Sequence, residues 1–401
     1  MTKPPTEQTT RPSAQNPKIQ IDYDSQTNTI DVRRGLISSF AVLRQSLAQP
    51  DVLREIAPGE WLLAANLQVG KDAELRITAP EVRWLKLRSD AEEFVWVKVR
   101  GGILRFDGVC VTSWDGELQD VDKNYADGRS FVLARDGAEM NIRRSELSYL
   151  GYEANESYGL AWRLEGTSGE ISDSVLGYNF YGLYAHQASG LLVRGNDVHH
   201  SVRYGIDPHT ASNQLLIEQN RSHHNGKHGI ILAEGCSNSI IRSNITYNNT
   251  LHGIVMYQHS DNNLIENNQS FANGLEGINI NNSSGTTIRA NTVYGNTKNG
   301  VGVGQLATDT MIIENTIYGN QEDGIALYSD ATRNIMQGNR ISDNLRYGIY
   351  IKSIGNQVVG GNRVFKNRIG VYLNVNPAPE VSKSENEIYD NAEGDVLTNA
   401  N

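Results

Sequence analysis

The segment YGIDPHT, Tyr204–Thr210, sets a phenol, a carboxyl and an imidazole within a few positions of one another. Tyr and His together form an acid/base pair suited to a weakly acidic carbon, and a nearby Lys or Arg can neutralise a substrate carboxylate. Lys227 and His228 follow downstream, and Arg203 immediately precedes Tyr204. Whether these groups meet depends on the elements that carry them.

Those elements come from a repeat. Gly recurs ahead of an apolar residue at Gly159, Gly182, Gly205, Gly229, Gly253, Gly277, Gly300, Gly324, Gly348 and Gly370, at intervals of 22 to 24 residues. A second series keeps step: Asn196, Asn220, Asn244, Asn268, Asn291, Asn315, Asn339, Asn362 and Asn386. Two residue types sharing one short period define a solenoid. The segments between are short, apolar and punctuated by Gly, Asp and Asn, as in EWLLAANLQV and FVWVKVRG, so each unit is built of strands. The expected fold is all-β: a right-handed parallel β-helix with coils of about 23–24 residues. A Leu-rich horseshoe consensus and the G-G-x-G-x-D calcium repeat are both missing from the sequence. Stacked coils lie about 4.8 Å apart, so Gly is expected at a turn of positive φ and Asn as a hydrogen-bonded corner ladder. Both series read as scaffold.

Counting from each Gly, the residues at +1 and +3 are apolar coil after coil and face inward; those at +2 and +4 then point outward to solvent. The outward pairs are Ala161/Arg163, Tyr184/His186, Asp207/His209, Ile231/Ala233 and Val255/Tyr257, followed by Asn279/Asn281 and Gly302/Gly304. The residue before Gly contributes Tyr181, Tyr204, His228 and His252. Folded, Arg163, Tyr181, Tyr184, His186, Arg203, Tyr204, Asp207, His209, Lys227, His228, His252 and Tyr257 are expected to share one patch about four coils tall. Exposed aromatics taken singly need no explanation. Two irregularities speak for a site: Pro208 occupies an inward strand position at the cost of a ladder hydrogen bond, and Asp207 is the sole carboxylate at +2.

A groove on a β-helix suits an extended polymer, and the Tyr/His/Lys set suits a polyuronate. Neutralising the uronate carboxylate acidifies C-5, and Tyr or His removes the proton. Reprotonation from the other face is epimerisation; expulsion of the 4-O-linked sugar is lyase chemistry. Asp207 has no partner placed for glycoside hydrolysis. No metal-ligand spacing demands a cation, so no cofactor is expected and calcium is not indicated.

YGIDPHT resembles the YG-[FI]-DPH-[DE] signature of the mannuronan C-5-epimerases. WLLAANLQV (61–69), FVWVKVRGG (94–102), VTSWD (111–115), ADGRSFVLA (126–134), SELSYLGYEANESYGLAWR (145–163) and KHGIIL (227–232) are similar to the single-module, periplasmic branch of that family. The resemblance implies a C-5-epimerase acting on poly-mannuronate in alginate, with Tyr204 and His209 flanking the sugar ring as acid and base. It puts Asp207 near the substrate carboxylate and Lys227 in the neutralising role, with Arg203 and Arg163 as reserves. An alginate lyase using the same residues and a non-catalytic polysaccharide-binding β-helix are the alternatives. Thr210 stands where the family has Asp or Glu. The resemblance implies a periplasmic or secreted protein, although no signal-peptide segment precedes the repeats.

The rest of the chain sets bounds. Its 401 residues carry a net charge of −10, which argues against a nucleic-acid partner, and no apolar run approaches the ~20 residues of a membrane span. Cys110 and Cys236 read as two buried free thiols. Residues 1–17 read as a disordered tail and 18–401 as a single domain. Within it, 18–60 form an N-terminal hairpin and a short helical cap centred on 38–57, broken at Pro50, and 61–391 form the coils.

Overall fold

The computed structural model describes residues 18–399 apart from 359, 377, 380, 382 and 383; the segment expected as a tail lies outside them. Each regular coil carries three strands. In the coil of YGIDPHT these are Ile206–His209, Leu216–Glu218 and Arg221–His223. The first two belong to one bent sheet and the third to a second sheet, and neighbouring coils pair in parallel. The chain is a parallel β-helix whose interior holds one continuous apolar core from Ile30 to Leu373. Six first strands concern the site: β1 (Gly159–Arg163), β2 (Tyr181–His186), β3 (Ile206–His209), β4 (Ile230–Ala233), β5 (Ile254–Tyr257) and β6 (Ile278–Asn281).

At the N-terminal end Gln20–Asp24 pairs antiparallel with Thr29–Ile37 in a hairpin. The cap is smaller than the periodicity suggests. Helix α1 spans only Phe40–Gln45, N-capped by the Ser39 hydroxyl, and buries Phe40 and Leu43. The Phe40 ring meets Trp61 edge-on at 5.5 Å, which closes the end of the core. A short 3₁₀ turn at Pro50–Val52 ends the helical region, and Leu53–Ala57 becomes a strand paired with Glu60–Leu63. Pro50 offers no N–H for a helical bond, and pairing satisfies the backbone beyond it.

The two ladders are present, but the glycines serve a different purpose from the one expected. Of the ten, only Gly159 has a positive φ, at 117°. At Gly205 an added Cβ would lie 2.2 Å from Ser222 Oγ and 2.6 Å from the Gly229 carbonyl; at Gly253, 2.0 Å from Ser270 Oγ and 2.6 Å from the Gly277 carbonyl. Gly is required because the next coil's backbone passes where a side chain would stand. Positive φ falls at other corners, at His200, His224 and Asn248 among others.

The asparagines behave as expected. Asn196 Nδ2 donates to Asn220 Oδ1 at 2.9 Å, and the relay continues through Asn244, Asn268 and Asn291. A second amide ladder, beginning Asn225–Asn249–Asn273–Asn296, runs along another corner. Each buried amide has both its donor and acceptor sides met by its neighbours, which is what makes a polar residue tolerable there. On the outer face of the second sheet the rings of Tyr247, Phe271, Tyr294 and Tyr318 stack at 4.8–5.2 Å, with interplanar angles of 8° or less.

Candidate functional site

The +2 side chains of β1–β5 form a second layer rather than a solvated face. Ala161, Tyr184, Asp207, Ile231 and Val255 are all buried. Side chains from outside these strands close over the row: Phe94, Tyr152 and Tyr158 pack against Phe131, Leu133, Ala161 and Tyr184 on one side, and Tyr204 against Ile231, Ala233 and Val255 on the other. The expectation of solvent exposure at +2 is therefore corrected: the direction is outward, the environment apolar.

Register places the chemistry. His186 pairs with Arg163 on one side and His209 on the other, and Tyr184 pairs with Asp207. Between β3 and β4 the pairing is confined to Ile206 and Ile230, because Pro208 has no N–H to donate. Toward the N-terminus the same outward row continues through Arg135 to Arg100, so basic residues line up coil by coil and lead to His209. Toward the C-terminus the row turns neutral, with Tyr257, Asn281 and Gly304 in register.

Tyr204 and His209 line one cavity of about 270 Å³, together with His228, Val255 and Tyr257. It opens into a second cavity of about 500 Å³, sharing His252, Asn279 and Asn281 and bounded by Glu276, Tyr328 and Asp330. Lys227 Nζ donates to the Tyr204 hydroxyl at 3.3 Å, and the Tyr204 ring stacks on His228 at 5.2 Å. His228 stacks in turn on His252, whose Nδ1 is 2.9 Å from Glu276 Oε2.

Asp207 sits beneath, 1 % exposed, and neither carboxyl oxygen has a partner. Burial, reinforced by Glu234, holds its pKa well above the usual carboxylate range. Arg163 Nε and Nη1 and His186 Nδ1 are likewise buried and unpartnered. Unsatisfied buried polar groups are uncommon, and three on adjacent strands next to His209 mark a place where a ligand can complete the bonding.

Protonation states divide the two central groups. Burial lowers the pKa of His209, Glu234 acting against the shift and Arg163 with it, so the imidazole is neutral near pH 7. Burial and the nearby Asp207 raise that of Tyr204, which keeps its proton. His228 is pushed down to about 3 by burial and the neighbouring His252.

The remaining candidates sort by their contacts. Tyr181 packs with Tyr184 and Tyr204 at 5.6 and 5.5 Å. Arg203 is drawn away to Glu153 at 2.6 Å and lies over Phe180, not over the cavity. Cys236 is buried, but Cys110 is partly exposed beside another cavity, which corrects the expectation of two buried thiols.

Two cavity residues, Glu276 and Tyr328, escape sequence reasoning, and so does Glu234 behind His209. The Thr210 hydroxyl lies 2.9 Å from His209 Nδ1 and donates to Glu234 Oε2 at 2.9 Å. Aligning the repeat one position beyond +4 puts Thr210 and Glu234 in the same column and would have exposed the pair. Among the described residues no group of three or more His, Cys, Asp or Glu is arranged to hold a metal ion.

Residues 276–401 match the family model for a right handed beta helix region, and residues 124–322 that of the periplasmic copper-binding protein (NosD). A crystal structure of the periplasmic alginate epimerase AlgG superposes with a TM-score of 0.79 at 21 % identity, covering 89 % of this chain and 94 % of that one. The fold therefore defines the class: a right-handed parallel β-helix. In sequence, the mannuronan C5-epimerase of Pseudomonas aeruginosa is 29 % identical over 176 residues, 41 % of this chain and 32 % of the relative. Mannuronan C5-epimerase AlgG of Azotobacter vinelandii is 29 % identical over 175 residues. The chain is thus related in sequence to the mannuronan C5-epimerases, with the matched segment spanning about a third of those relatives' length.

Proposed function

We propose that the chain is a C-5-epimerase of poly-mannuronate, converting β-D-mannuronate to α-L-guluronate within the polymer. The observation that carries this is the pairing of Tyr204 and His209 on one cavity with opposite proton occupancy, over a buried Asp207. A neutral imidazole takes the C-5 proton and becomes imidazolium. The electron pair delocalises into the sugar carboxylate, whose charge Lys227 and Arg163 offset and to which a protonated Asp207 donates a hydrogen bond. The Tyr204 hydroxyl, already held by Lys227, delivers a proton to the opposite face of C-5. The apolar floor of Ile231, Ala233 and Val255 excludes water and strengthens each of these interactions. Solvent then reprotonates Tyr204 and takes the proton from His209.

Lyase chemistry begins from the same carbanion and differs in its collapse, by loss of the 4-O-linked sugar. A basic row on one side of His209 supports an anionic polysaccharide as partner, and the negative net charge argues against nucleic acid. Kinship with the periplasmic epimerase supports a periplasmic or secreted location.

Proton NMR of poly-mannuronate incubated with the protein in deuterated water tests the reading. Guluronate signals carrying deuterium at C-5, with unchanged chain length, are expected. Unsaturated chain ends and a shrinking polymer would establish the lyase, and an unchanged spectrum would leave a binding protein.

A further inference from the structure

We propose that Glu234, acting through Thr210, is the positioning residue that makes His209 a base at Nε2. This rests on the proton-abstracting role assigned to His209 above. The Thr210 hydroxyl has a single proton, and its 2.9 Å contact with Glu234 Oε2 uses it. The hydroxyl oxygen can then only accept from His209 Nδ1, 2.9 Å away, so Nδ1 carries the proton and the Nε2 lone pair is left free. Direct contact between Glu234 and the ring is longer, 3.5 Å, so the hydroxyl is the link. Among the described residues no Lys or Arg pairs with Glu234, leaving its carboxylate committed to this contact.

Backbone geometry is an independent observation. The corner after each first strand has positive φ in successive coils: Leu164, Gln187, Thr210, Glu234, Gln258, Asn282 and Gln305. Thr210, at 36°, is the one β-branched residue in that series. A β-branched side chain is disfavoured there, and a residue held against its preference marks a functional constraint. Here the constraint is a short hydroxyl directly beside the imidazole, with the carboxylate supplied from the next coil.

The charged and titratable groups facing His209 are Glu234 behind it, Arg163 and His186 along its row, Tyr184 and Asp207 beside it, and Tyr204, Lys227, His228, His252 and Tyr257 across the cavity. Of these, Glu234 alone favours the imidazolium among the causes acting on His209, against burial and Arg163.

Three variants and two readouts test the assignment. In the unliganded wild type, long-range ¹⁵N NMR of the His209 ring is expected to show the Nδ1–H tautomer. Thr210→Val, which keeps the branching but removes the hydroxyl, is expected to mix the tautomers and lower kcat at least tenfold with KM little changed. Thr210→Ser should retain both the tautomer and most of the rate. Glu234→Gln should shift the acid limb of the kcat/KM profile to lower pH, since the lost carboxylate no longer favours the protonated ring. An Nε2–H tautomer in the wild type overturns the proposal, as does a Thr210→Ser variant as impaired as Thr210→Val. So does an unshifted acid limb in Glu234→Gln. The tautomer is read without turnover: an inactive wild type with the expected Nδ1–H ring would refute the epimerase reading and leave the hydrogen-bond chain standing.

Discussion

Tyr204 and His209 are expected to divide the proton chemistry. Tyr204→Phe and His209→Ala should each lower turnover by roughly 100-fold or more while leaving the melting temperature near that of the wild type. Wild-type rates in both would remove them from the chemistry. Because the His209 pKa is lowered, activity should persist below the ordinary histidine value and fall only as pH drops through the shifted pKa. Asp207 gives the opposite dependence, in stability. Its folded-state pKa is raised, so the folded chain keeps a proton that the unfolded chain releases in the ordinary range near 4. Stability is therefore highest below that range and declines as pH rises through the folded pKa. Asp207→Asn cannot ionise and should melt above the wild type at pH 8, the gain vanishing toward pH 4. A gap that does not change with pH would mean that Asp207 is not held protonated.

At the scale of strands and corners, the repeat glycines give the sharpest contrast. Gly253→Ala would drive a methyl into Ser270 and the Gly277 carbonyl, and should cost several kcal/mol, since backbone is what must shift. Gly116→Ala has nothing within 4 Å and should stay within about 0.5 kcal/mol, as measured by denaturant unfolding. The period itself was legible in sequence because every coil needs Gly and Asn at the same two places, and Pro208 and Asp207 stood out as breaks in that rule. What the sequence hid were contacts between coils. Glu234 reaches Thr210 across one full coil, Arg203 is captured by Glu153 on a distant loop, and the +2 side chains are covered by corners whose height the repeat pattern does not encode. The purpose of the glycines is hidden from sequence for the same reason: the obstacle is the neighbouring coil, not the local φ.

Over the whole molecule, charge is distributed unevenly along the groove. Arg100 and Arg163 precede His209, with Arg135 between them paired to Asp136 and Glu156, whereas Tyr257, Asn281 and Gly304 extend the row beyond it. A polyanion should thus be gripped electrostatically on the N-terminal side and by hydroxyl and ring contacts on the other. Arg100 is exposed, so Arg100→Ala should raise KM, flatten its dependence on salt and leave kcat unchanged. An unaltered salt dependence would place the polymer elsewhere.

The ring column on the second sheet has an optical consequence. Tyr247, Phe271, Tyr294 and Tyr318 lie nearly parallel at about 5 Å, in the asymmetric setting of a twisted solenoid. At that separation their electronic transitions couple, which gives the protein an intrinsic near-ultraviolet circular-dichroism band. Because each ring belongs to a different coil, the band reports whether consecutive coils remain in register, on a face of the molecule away from Tyr204 and His209 and without any attached label.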